Sequence, residues 1–155
     1  MTHKIIQWNM NGFKFKSSEL IFIAGLHKPL VPALQGTNPR TEDFLQFRGF
    51  HAIRKERVNT NKLSGGVAIL VKQDLVYEEV HLITNLKAVA IKMYLTDRLA
   101  TICKLYLAPS VVVTENKLEE LLTQLPQPVF IVGNFNALAP EWGSHYYGQR
   151  IIMVE

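Results

Sequence analysis

Short apolar runs rich in Val, Ile and Tyr alternate along this 155-residue chain with two stretches of helical period. His3–Trp8 predicts a first strand, followed by a turn at Asn11-Gly12. Ser17 or Ser18 can cap a helix in which Leu20, Ile23, Ala24 and His27 recur at helical spacing. Leu30–Gln35 predicts the next strand, although Pro32 removes a ladder donor from its middle. Gly49–Arg54, Gly66–Lys72, Leu86–Leu95 and Ala100–Leu107 are further strand candidates. A second helix starts near Thr114, with Leu118, Leu121, Leu122 and Leu125 on one apolar face, and Pro126 and Pro128 end it. Val129–Val132 then predicts a buried strand opening into Gly133-Asn134-Phe135-Asn136. Strands interrupted by two helices in this order imply sheets covered by helices, an α/β or α+β layered fold.

Composition narrows the class without naming a function. Apolar residues make up 48% and charged residues 19%, which is globular rather than disordered, and no repeat or linker divides the chain. The net charge of +4 admits a polyanionic partner but is more often that of an ordinary soluble protein. A lone cysteine, Cys103, excludes an internal disulfide framework and fits a reducing compartment. The longest uncharged apolar run, Leu20–Leu26, is far short of the ~20 residues that cross a bilayer, and the start lacks an apolar signal core. A nuclear or cytoplasmic protein, neither secreted nor transmembrane, is expected.

Five segments carry the candidate chemistry. They are Gln7-Trp8-Asn9-Met10-Asn11-Gly12, Ala33-Leu34-Gln35-Gly36-Thr37-Asn38, Gly65-Gly66-Val67-Ala68-Ile69-Leu70, Leu105-Tyr106-Leu107-Ala108-Pro109 and Ile131-Val132-Gly133-Asn134-Phe135-Asn136-Ala137. Each alone is weak, because asparagines after strands are common for backbone reasons. In this order and spacing they resemble the endonuclease/exonuclease/phosphatase superfamily, which includes DNase I and the apurinic endonucleases. The tail from Asn136 through Pro140-Glu141-Trp142-Gly143-Ser144 is similar to endonuclease domains of non-LTR retrotransposons. The resemblance runs from about Ile5 to Arg150 and implies a DNase I-like four-layer α/β (α+β) sandwich. It also implies Mg²⁺-dependent phosphodiester hydrolysis with DNA as partner.

Carried over residue by residue, the resemblance implies a damaged site. Asn9 matches the family asparagine beside metal and phosphate. Gly36 stands where the family has the metal-binding glutamate of a Gln-Glu-Thr motif, and glycine offers no side-chain ligand where Mg²⁺ usually takes one or two carboxylates. Tyr106 resembles a tyrosine near the scissile phosphate, though a tyrosine at a strand end is as often simply packed. Asn134 replaces the aspartate of Gly-Asp-Phe-Asn; an amide keeps the shape but cannot accept the water's proton. Asn136 matches that motif's asparagine and keeps its capacity to contact phosphate. Leu138 replaces a histidine frequent in the retrotransposon branch, and His145 matches no catalytic position. The family's late histidine, in a Ser-Asp-His type motif, has no counterpart in residues 1–155, so the chain reads as the N-terminal portion of such a domain with its second sheet incomplete.

Gly36, Asn134 and Leu138 are each one base change from the implied Glu, Asp and His, the pattern of a decaying mobile-element copy. Three readings follow. The chain is a Mg²⁺-dependent endonuclease; or a catalytically dead remnant that binds nucleic acid through basic residues such as Arg54, Lys55 and Arg57; or a non-functional fragment. A phosphatase or sphingomyelinase on the same fold is disfavoured by the Pro-Glu-Trp-Gly tail. An incomplete second sheet would also leave an inner strand such as Val129–Val132 as an edge and promote self-association.

Overall fold

The computed structural model describes residues 3–10, 13–37, 47, 49–55 and 66–136. Eight strands and two helices follow one another as β1 (Ile5–Asn9), α1 (Phe13–His27), β2 (Val31–Gln35), β3 (Phe50–Lys55), β4 (Val67–Lys72), β5 (Tyr77–Val80), β6 (Lys87–Leu95), β7 (Arg98–Tyr106), α2 (Glu115–Thr123) and β8 (Val129–Asn134). They form two four-stranded mixed sheets, ordered β1-β2-β4-β3 and β5-β6-β7-β8. Each sheet has one parallel pair joined through a helix, β1 with β2 through α1 and β7 with β8 through α2. The remaining pairs are antiparallel.

Side-chain alternation builds the layers. On β7, Ile102 faces the other sheet and packs with Val31, Ile69 and Ile91, while Cys103 and Leu105 point the opposite way, into a cluster with Leu121 and Leu125. On β2, Val31 faces the second sheet and Leu34 packs with Leu20 of α1. The order is therefore helix, sheet, sheet, helix: the α+β four-layer arrangement expected from the sequence. Among the described residues no helix is long and apolar enough to cross a membrane.

The helices and edges depart from the sequence reading in instructive ways. Helix α1 begins at Phe13, ahead of the expected caps, so Ser17 and Ser18 lie inside it. Leu20 is buried and Ile23 and Ala24 are half-buried, but Ile21, Phe22 and Leu26 are exposed apolar residues that blur the helical period. In α2, Thr114 caps the first turn by accepting from the Lys117 amide at 3.3 Å, and Leu121 and, just past the helix end, Leu125 are buried while Leu122 is exposed. Pro32 is tolerated because it pairs with Ile6 of β1, whereas pairing with β4 begins one residue later, at Ala33. Strand β5 is absent from the sequence reading: adjacent Glu78 and Glu79 break alternation, as charges on an edge strand do. Glu78 meets its register partner Lys92 at 3.1 Å. Strand β8 runs two residues past Val132, which makes Asn134 a strand-end residue.

A candidate anion cleft at the ends of the parallel strands

Both parallel pairs end at the same place. Asn9 is paired with Gln35 at the C-terminal ends of β1 and β2, and Tyr106 with Asn134 at those of β7 and β8. The Gln7 amide nitrogen donates to the Gly133 carbonyl at 3.1 Å, joining the two sheets there. Between them lies an open cleft of about 290 Å³ lined by Gln7, Asn9, Gln35, Gly133, Asn134, Phe135 and Asn136. Gly133 is required by close approach: a Cβ at this position would overlap the Leu105 carbonyl oxygen on the paired strand.

The structure thus gathers Asn9, Asn134 and Asn136 into one cleft. Asn134 Oδ1 accepts from the Asn136 backbone N–H at 2.9 Å, and Asn136, in the left-handed region with φ 47°, donates from Nδ2 to the Leu107 carbonyl at 2.7 Å. Gly36 follows the lining residue Gln35 but adopts φ 64°, a conformation that disfavours a side chain. Tyr106 lines a neighbouring cleft of about 470 Å³ with Lys55 and Lys87. The Lys87 ammonium lies 5.4 Å from the Tyr106 ring centroid. Lys55 donates to the carbonyls of Thr84 and Leu86 at 2.6 and 2.9 Å, tying β3 to the connection that enters β6, and burial lowers its pKa. Arg57, Leu138 and His145 lie outside the described residues.

Sequence reasoning missed Lys104. Sharing the inward face of β7 with Ile102, it is fully buried, and its Nζ donates to Gln35 Oε1 of the opposite sheet at 2.8 Å. Burial pulls the ammonium down to about 8. The available signal was a lysine at even spacing from Ile102 in an otherwise apolar strand.

These residues do not fit a Mg²⁺ ion. Mg²⁺ wants carboxylate and water oxygens in octahedral array. Among the described residues the cleft is lined by amides, a glycine and a phenylalanine, with no carboxylate, and a buried ammonium sits one side chain away. No group of three or more acidic, histidine or cysteine residues that could hold a metal occurs among the described residues.

The architecture is similar to that of several solved endonuclease and exonuclease structures, so the fold is shared with them. The endonuclease domain of TRAS1, a telomere-specific non-LTR retrotransposon, superimposes with a TM-score of 0.74 at 22% identity, over 96% of this chain and 66% of that one. An AP endonuclease from Archaeoglobus fulgidus gives 0.60 at 17% identity, over 91% and 63%. TDP2 from D. rerio, solved with a single-strand DNA product, gives 0.59 at 15%, over 90% and 62%. The chain spans about two thirds of the length of these relatives. No protein-family model and no curated protein matches the sequence.

Proposed function

We propose that this chain is a DNase I-like domain of retrotransposon-endonuclease descent that contacts nucleic-acid phosphate without hydrolysing the phosphodiester bond. The observation that carries this reading is the cleft itself, which brings Asn9, Asn134 and Asn136 together at the strand ends with amides where hydrolysis needs an anionic base and metal ligands. Support comes from the likeness to the TRAS1 endonuclease domain and from the motif order around the cleft. Neighbouring Lys87 adds a cation beside the strand ends. The parent activity, Mg²⁺-dependent cleavage of DNA, is lost on this reading because Gly36 supplies no ligand and Asn134 no base.

The test combines binding and cleavage. Fluorescence anisotropy with a labelled duplex across a salt series should show weak binding, indifferent to sequence, that falls steeply as salt rises. Supercoiled plasmid incubated with the protein and Mg²⁺ should remain intact. Nicking by the unaltered protein would establish the active-enzyme reading instead, and salt-independent binding would contradict the electrostatic one.

A further inference from the structure

The hydrogen-bond partners around the cleft fix which way its amides face. A lysine ammonium has three donors and no acceptor, so the Gln35 atom 2.8 Å from Lys104 Nζ must be the carbonyl oxygen. The Gln35 Nε2 group is then the end left over, it makes no hydrogen bond among the described residues, and Gln35 lines the cleft. Asn134 is fixed by the same logic. Its Oδ1 accepts from a backbone N–H, which leaves Nδ2 as the free end. Two amides that could have offered oxygen to a cation are therefore committed to offering N–H groups.

Lys104 and Gln35 make this a built arrangement and not a chance of surface polarity. Both are essentially inaccessible, at 0% and 1% exposure, and they join across the interface of the two sheets. With its pKa at about 8, the ammonium is charged at neutral pH. Its field adds to the donor ends of Gln35 and Asn134 and favours an oxyanion over a metal ion beside them, while Gln7 and Asn136, which donate through their nitrogens, leave oxygens at the other side of the lining.

We infer that the cleft bounded by Asn9, Gln35 and Asn134 is a metal-independent phosphate site, in which the buried Lys104 ammonium, acting through Gln35, supplies the positive charge. Lys104 is a positioning residue: it sets the orientation of Gln35 and the sign of the local field. The inference rests on the proposed function only for the location of the site, since inorganic phosphate is a sufficient ligand.

Calorimetry with inorganic phosphate on the full chain, in EDTA and then in Mg²⁺, tests it. Saturable phosphate binding is expected in EDTA, with the same Kd when Mg²⁺ is present. Lys104→Met should weaken it by roughly tenfold or more, the scale of one unit charge removed at a side chain's distance. Gln35→Glu guards against a variant that fails to fold, because the new carboxylate keeps Lys104 paired while replacing the left-over N–H group with oxygen. It should abolish the binding. Absence of saturable binding in EDTA, a requirement for Mg²⁺, or unchanged affinity in Gln35→Glu would overturn the inference. Phosphate binding without duplex binding would sink the nucleic-acid reading and leave this site standing; duplex binding with no phosphate response would do the reverse.

Discussion

Replacing Lys104 by methionine should change how stability depends on pH, and the size of the change follows from burial. The ammonium falls from the ordinary 10.5 to about 8 in the folded chain because it is taken out of water. At 1.36 kcal/mol per pH unit this drop corresponds to about 3 kcal/mol. Between pH 8 and 10.5 the unfolded lysine holds its proton while the folded one releases it, so the unfolded state binds more protons. Stability from this group therefore rises with pH: the penalty is complete below about 8 and relieved by 10.5. Methionine has a similar unbranched shape and no charge, so it removes the penalty but leaves Gln35 Oε1 without its donor, a loss of about 1–3 kcal/mol. At pH 7 the variant should thus match the original protein or exceed it by up to about 2 kcal/mol. Urea unfolding of both proteins at pH 7.5 and 10.5 gives the decisive quantity. Over that interval the original protein should gain about 3 kcal/mol relative to the variant. Other titrations are common to both proteins and cancel. They include Cys103, whose thiol burial pushes up to about 12 and whose contribution therefore falls as pH rises from 9. Parallel profiles for the two proteins would refute the reasoning.

Further outcomes are expected at other positions. Gly133→Ala should destabilise the chain by about 3 kcal/mol or more, because the new methyl meets the backbone of Leu105, which cannot withdraw without breaking the β7–β8 ladder; a thermal melt within a few degrees of the original would contradict this. Cys103 should resist thiol reagents in the folded protein and react only at the rate of unfolding, being fully buried with a raised pKa; rapid labelling in native buffer would show the packing to be wrong. Gly36→Glu with Asn134→Asp should bind Mg²⁺ poorly until Lys104→Met is added, and calorimetry showing tight binding with Lys104 intact would contradict the role given to its charge. Strand β8 is at the edge of its sheet among the described residues and Phe130 is 50% exposed, so concentrated protein should self-associate; light scattering that reports a monomer at every concentration would count against it.

The elements most visible in the sequence are those buried cleanly on one face or on both. Helix α2 shows a leucine stripe because only one face meets β7 and β8, and strands β4, β6 and β7 show apolar runs because both of their faces are covered. Helix α1 is harder to bound, since Ile21, Phe22 and Leu26 are apolar yet exposed, and the cap signals at Ser17 and Ser18 lie inside the helix. Strand β5 escaped because edge strands tolerate charge where inner strands do not. Motif order brought out Asn9, Asn134 and Asn136, which the fold then gathers. Lys104 stayed hidden because its partner Gln35 is 69 residues away and on the other sheet. Pairing across sheets leaves no local periodicity to read.

The central claim is that the cleft is built for an anion where the resemblance implies a metal. Its most direct test is the side-chain amide spectrum of ¹⁵N-labelled protein, following the NH₂ groups of Gln35 and Asn134. Inorganic phosphate in EDTA should shift both resonances saturably and together, while Mg²⁺ alone leaves them in place. Shifts of these amides with Mg²⁺ alone, or none with phosphate, would contradict the account.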